Sequence, residues 1–500
     1  MKHAYTVAQI REAERQAFAV VGPDALMQRA SAGLAAAILR RLGKGFGRST
    51  HAESLRSGRT PLPGSERSTP TEALGRRRGV YGARVLLVVG SGNNGGDALF
   101  AGAILARRGV RVTCWRTGST VHEAGWTALL AAGGREVDAG AALADLPTQR
   151  YVVDGVAGIG SRPGLAAELA GFASACAELD VPVVAVDLPS GLAPEPPFGE
   201  EAHFVADLTV TFGGYKLCQL MEPARSACGE VELVDIGLDL PQPAVSAWEP
   251  EDLAAAWPVP DARSDKYSRG VVGLDTGSAD YPGAAVLTAA GAVRAGAGMV
   301  RYFGPPQVGQ RILDRFPNVV VGQGRVQALV LGSGWGERKD RGVVARAVEA
   351  GVPLVVDADG LRHLPKTGHS KVVLTPHAGE LARLLGSSRA EVEADPLAAV
   401  LAASRSTGCT VLLKGATQYV AAPDSIRVWL AVPGPAWTAQ AGSGDLLAGI
   451  CGTLLAAGLA PLDAALAAAS VQAVAAAAAP GPVPPQELRL PVPPQPDVAG

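Results

Sequence analysis

The sequence predicts an α/β protein of two domains, each an open, mostly parallel sheet flanked by helices. Three observations predict it. The 500 residues exceed what one hydrophobic core normally supports. Short apolar runs alternate with segments of helical period. Glycine-rich turns recur where those runs end. Aromatic residues make up 5% of the chain while Ala, Gly, Val and Leu abound, which suits layers packed closely through small side chains.

A net charge of −2 gives no reason to expect a nucleic-acid partner. The six cysteines form no CxxC pair and no metal-ligand spacing with histidine, so they read as reduced, buried thiols of a cytoplasmic protein. MKHAYTVAQIREAERQ lacks the apolar core of a signal peptide. The apolar run from Leu446 is broken by Pro461 and Asp463 before the ~20 residues a membrane span requires. No membrane association is expected.

Composition also sets the domain limits. Residues 1–238 form the first domain, interrupted at 44–82 by a Gly, Ser, Arg and Pro-rich insertion with eight Lys or Arg against three Glu, read as disordered. The prolines and acids of 239–260 read as a linker, 261–480 as the second domain and 481–500 as an unstructured proline-rich tail.

In chain order, Thr6 and Gln9 make a capping box for an amphipathic helix, and a second helix runs from Pro23 to about Gly43. RVLLVV from Arg84 is a buried strand ending at Gly90, followed by a helix and the strand VRVTCW. Gly90, Gly92 and Gly95 spell GxGxxG, but Arg116 stands where an NAD-binding Rossmann unit needs an acid, so an NAD-type site is disfavoured, although an arginine there could accept the phosphate of NADP. Within that turn Asn93, Asn94, Gly95, Gly96 and Asp97 place amides, bare backbone and a carboxylate where a strand meets a helix. YVVD ends at Asp154, and VVAV runs into Asp187 and Ser190. In a doubly wound sheet these carboxyl ends face one crevice. Asn94, Asp154 and Ser190 are therefore candidate oxygen ligands for one cation, and Asp97 and Asp187 stay available for substrate. For each aspartate taken alone, capping or turn formation is the alternative.

NNGGD, GIGSRPG, VDLPSG and ADLTVTF, in that order, resemble the NAD(P)H-hydrate epimerase family. The resemblance implies a Rossmann-like three-layer domain that interconverts R and S forms of hydrated NADH and NADPH with potassium bound. It implies substrate contacts at Asn93, Asn94, Gly95, Gly96, Asp97, Gly158, Ile159, Gly160, Ser161, Arg162, Pro163, Gly164 and Asp187, with Asp187 as a catalytic candidate. Potassium falls to Asn94, Asp154 and Ser190. Ala98 and Gln28 depart from the family pattern, which has glycine and glutamate there.

In the second half, GSGDLLAG places glycines, a hydroxyl and a carboxylate before a long apolar helix. A helix N-terminus carries about half a positive charge and favours phosphate, so Asp445 is a candidate base. Lys414 follows the apolar strand TVLL, where burial demands an anion. Asp357 and Asp359 either bind a cation or end a strand. His377 either satisfies its loop or meets a ligand.

YPGAA, LGSGWG, DADGL, LTPHAGELARL, LLKGA and AGSGDLLAGI together resemble the nucleotide-dependent NAD(P)H-hydrate dehydratase family, whose fold is ribokinase-like. The resemblance implies substrate contacts at Ala285, Gly334 or Gly336, His377 and Asp445. It implies nucleotide contacts at Lys414, Gly415, Ala416, Thr417, Gln418, Gly442, Ser443 and Gly444. Gln418 departs from the usual threonine. ADP or ATP is the expected phosphoryl donor, with Mg2+, and hydrated NADH and NADPH are the expected substrates of a homo-oligomer. The alternative is a ribokinase-like small-molecule kinase fused to a non-catalytic binding module.

Overall fold

The computed structural model describes residues 1–44, 79–337, 340, 342–365, 369–479 and 481–491. The chain divides into two compact units, His3–Pro243 and Ala244–Gly500 with Met1–Lys2. Most of the basic insertion, 45–78, lies outside the described residues.

In the N-terminal unit seven parallel strands are ordered Arg135–Val137, Arg111–Arg116, Arg84–Val89, Tyr151–Gly155, Val183–Val186, Leu208–Phe212, Glu230–Val234. Arg84–Val89 is buried on both faces because its alternate residues point to opposite sides of the sheet. Val85, Leu87 and Val89 pack against Leu34 and Ile38 of Pro23–Lys44 and Leu99 of Asn93–Arg107. Leu86 and Val88 pack against Phe172 and Cys176 of Ala167–Glu178. Chain order reverses between Arg84–Val89 and Tyr151–Gly155, the switch point at which an open α/β sheet leaves a crevice. Outside this seven-stranded sheet, a short N-terminal strand pairs in parallel with Tyr215–Lys216, matching Ala4 with Tyr215 and Tyr5 with Lys216. The helix Val7–Val21 follows directly, and the Thr6–Gln9 capping box is present.

In the C-terminal unit the parallel strands run Val320–Val321, Met299–Tyr302, Val271–Asp275, Ala328–Leu331, Leu354–Val356, Val372–Leu374, Thr410–Leu413. Tyr419–Ala421 and Val428–Leu430 add an antiparallel hairpin, and Val245–Ala247 pairs in parallel with Val428–Leu430. Helices Ser443–Ala456 and Pro461–Ala477 are almost wholly buried. Among the described residues no helix is long and apolar enough to cross a membrane. The six cysteines are free and buried.

Two boundary expectations are corrected. The expected linker at 239–260 contributes the strand Val245–Ala247 and the helix Pro250–Ala256, and it buries Trp248 and Leu253 in the core. Its proline and acids are start signals: Pro250 occupies the first helical turn, and Asp252 closes a capping box with Glu249. The expected tail is also ordered at 481–491. Leu488 is buried, Val483 and Leu490 pack beside it, and Arg294 Nη1 donates to the Leu488 carbonyl at 3.1 Å. Three apolar side chains among the prolines supply the burial that composition alone concealed.

Candidate functional sites

The N-terminal crevice is a cavity of about 570 Å³. Asn93, Asn94, Asp97, Gly158, Ile159, Gly160, Ser161 and Asp187 line it, together with Arg11, Glu14 and Phe18 of the first helix. Gly95, Gly96, Arg162, Pro163 and Gly164 lie outside that lining. Two successive strand ends can meet here because Gly90 has no side chain: a Cβ there would stand 2.0 Å from the Val156 carbonyl oxygen.

Asn94, Asp154 and Ser190 converge on Ala157. Asn94 Nδ2 donates to the carbonyls of Val186 (2.7 Å) and Ala157 (3.2 Å). Ser190 Oγ accepts from Ala157 N at 2.9 Å and donates to Asp154 Oδ1 at 2.6 Å, while Ser190 N donates to Asp154 Oδ2 at 2.7 Å. Asp154 is fully buried. Burial pushes its carboxyl up to about 6, against the opposing bonds from Ser190 and Val156. Asp97 is raised well above the carboxylate range by burial and then by Asp187, with Ser31 Oγ at 3.5 Å giving partial relief.

Asp187 has a left-handed backbone, φ 68°, held by Asp187 N donating to Val210 O at 2.8 Å and Gln219 Nε2 donating to Asp187 O at 2.7 Å. Its Oδ1 accepts from Thr211 Oγ1 at 3.1 Å and from Lys216 Nζ, a pair with almost no solvent exposure. Sequence reading missed Lys216. The signal was present, since an isolated lysine within TFGGYKLC raises the same question of a buried partner that Lys414 raised.

In the C-terminal unit the site forms where helix Ser443–Ala456 starts. Gly442 is its N-cap in the left-handed region, φ 88°, and Asp445 lies in its first turn. Gly444 leaves room for Lys414: a Cβ there would stand 3.2 Å from Nζ. Lys414 Nζ donates to Asp357 Oδ1 at 2.8 Å and lies 4.0 Å from Glu380 Oε2. Burial works against the lysine's charge, but Asp357 and Glu380 outweigh it and lift Lys414 above its ordinary range. Asp357 is fixed further by Ser333 Oγ (2.9 Å) and Thr375 Oγ1 (2.8 Å). Asp445 is pushed up to about 7 by burial and then by Asp357, against Lys414 and Ser333.

The residues left open at this edge have these partners. Asp357 partners Lys414, and Asp359 Oδ2 accepts from Gly336 N at 2.9 Å. His377 is an N-cap: Nδ1 accepts from Gly379 N (3.0 Å) and Glu380 N (3.3 Å), leaving the ring half exposed. A parallel bridge aligns it with Lys414. Ala285 is fully buried against the Gly277 turn. The exposed ring of Tyr281, absent from the expected residues, lies beside Gly336 instead. Gln418 Oε1 is buried without a hydrogen-bond partner among the described residues.

Family models divide the chain the same way. Residues 23–218 match the YjeF-related protein N-terminus and 272–483 match NAD(P)H-hydrate dehydratase. The bifunctional NAD(P)H-hydrate repair enzyme of Mycobacterium leprae is 41% identical over 93% of this chain and 91% of its own. The chain belongs to the bifunctional NAD(P)H-hydrate repair enzyme family. Its Corynebacterium glutamicum relative is 32% identical over 93% of this chain and 88% of its own. A crystal structure of the ADP/ATP-dependent NAD(P)H-hydrate dehydratase from Bacillus subtilis, co-crystallised with ATP/Mg2+, is 27% identical at a TM-score of 0.43. The match covers 46% of this chain and 88% of that one.

Proposed function

We infer that this family member repairs hydrated NADH and NADPH in two steps, epimerising R and S forms in the N-terminal unit and dehydrating the S form in the C-terminal unit with ADP or ATP. The observation that carries the dehydratase step is Asp445, a carboxylate poised near neutrality at a helix N-terminus beside the Lys414–Asp357 pair.

The ring hydroxyl left by hydration is a poor leaving group. Asp445 takes its proton as the hydroxyl oxygen attacks the terminal phosphorus of the nucleotide, whose bond to the bridging oxygen breaks so that AMP leaves from ADP, or ADP from ATP. Backbone N–H groups of the Gly442, Ser443 and Gly444 turn face the transferring phosphoryl oxygens, and Lys414 supplies positive charge beside them. The phosphate ester then breaks at carbon, phosphate leaves with the C–O electron pair, and loss of a proton from the adjacent ring carbon restores the dihydronicotinamide. His377, Gly334 and Gly336 hold the substrate side, and residues 414–418 the nucleotide. Mg2+ would arrive on the nucleotide phosphates rather than in a dedicated protein cage. Mg2+ supplies charge neutralisation to the transferred group.

Beside the epimerase cavity the donor set suits potassium: a buried carboxylate with no cationic side chain paired to it among the described residues, a hydroxyl, an amide and the Ala157 carbonyl. Asn94, Asp154 and Ser190 would hold it. Asn93, Asp97, residues 158–161 and Asp187 contact the hydrated nicotinamide dinucleotide.

The test is product analysis with S-hydrated NADH, Mg2+ and either nucleotide. Dehydration gives free phosphate and NADH in equal amounts. A stable phosphorylated substrate with no NADH would favour a ribokinase-like kinase.

A further inference from the structure

The first helix reaches the epimerase cavity with groups that no step above uses. Arg11, Glu14 and Phe18 lie one turn apart along Val7–Val21 and line the same wall. The strand pair Ala4–Tyr215 and Tyr5–Lys216 fixes where this helix begins, so its first two turns are held near Lys216. Glu14 has neither an ion pair nor a hydrogen bond among the described residues, although it is half-buried. Burial and then Asp187 raise its carboxyl above the ordinary range, against Lys216 and Arg11. Asp97 also feels its charge, and Asp24 and His122 complete the titratable lining.

We propose that Glu14 is a catalytic acid of the epimerase, working with Asp187 at the opposite end of one proton transfer. This rests on the epimerase reading above. Hydration of an enamine puts the hydroxyl on the carbon bonded to nitrogen, and that carbon is the centre that differs between R and S. Protonated Glu14 gives its proton to this hydroxyl. The C–O bond breaks and its electron pair leaves with water, while the ring-nitrogen lone pair forms an iminium. A water adds to the opposite face and passes its proton to Asp187. The two carboxylates exchange roles in the reverse direction, as equilibration of two epimers requires.

The experiment follows NADH recovery from an R and S mixture by the full chain. Two phases are expected, a fast one from S and a slower one limited by epimerisation of R. Glu14→Gln should leave the S phase unchanged and slow the R phase about a hundredfold or more. It should also abolish the fall in R-phase rate at high pH where Glu14 loses its proton, whereas Glu14→Asp should keep that limb and recover part of the rate. An unchanged R phase in Glu14→Gln overturns the proposal. So does equal loss in Glu14→Gln and Glu14→Asp, which marks a structural role. A wild-type chain with an S phase and no R phase refutes the epimerase reading itself.

Discussion

At the scale of single residues, two lysine–carboxylate pairs mark the two candidate sites, the buried Lys216–Asp187 and the partly buried Lys414–Asp357. Breaking such a pair from one side strands the other charge, at about 3–5 kcal/mol. Lys216→Met should therefore lower the unfolding free energy by that order in chemical denaturation and depress R consumption. Asp445 predicts a pH profile: as a base it must be ionised, so dehydration should rise with pH through about 7 and level off above. Asp357 is the second cause of that elevation, so Asp357→Asn should move the limb to lower pH, with the part due to burial remaining. Lys414 was legible because an apolar strand leads into it. Lys216 was missed although the same kind of signal stood in TFGGYKLC, whereas Glu14 and Tyr281 were not legible, since each depends on which distant segment folds over it.

At the scale of elements, the Asp445 helix is positioned by glycines rather than by large side chains. Helix Pro282–Arg294 packs on Ser443–Ala456 so closely that a Cβ on Gly291 would meet the Leu446 carbonyl oxygen at 2.1 Å, and one on Gly449 the Thr288 carbonyl oxygen at 2.0 Å. Backbone cannot move aside as a side chain can, so Gly291→Ala or Gly449→Ala should cost about 1–3 kcal/mol in stability and reduce dehydration turnover. Thermal unfolding with a dehydration assay checks both. The strands and helices of each sheet were legible from their periods, because parallel strands buried on both faces are uniformly apolar. Residues 239–260 and 481–491 were misread because proline is compatible both with a loop and with the first turn of a helix. Only the burial of Trp248, Leu253 and Leu488 decides between them.

For the whole molecule, the proposed potassium site would link stability to pH. Asp154 has a folded pKa of about 6, above its unfolded value, so its contribution to stability is fully present below the unfolded pKa and is lost as pH rises through about 6. A cation beside the ionised carboxylate offsets that loss. Potassium should thus raise the melting temperature at pH 8, by roughly 5–10 °C at a hundredfold excess over its dissociation constant. The gain should fade as pH falls below 6 and vanish in Asp154→Asn. Both units were legible as α/β sheets, and the N-terminal cavity is lined by residues from three of the separate motifs. The most direct measurement of the central reading is recovery of dihydronicotinamide absorbance from a mixture of R and S hydrated NADH by the intact chain with Mg2+, K+ and ADP or ATP. Two complementary activities predict complete recovery of both epimers; no recovery of either epimer with either nucleotide would contradict them.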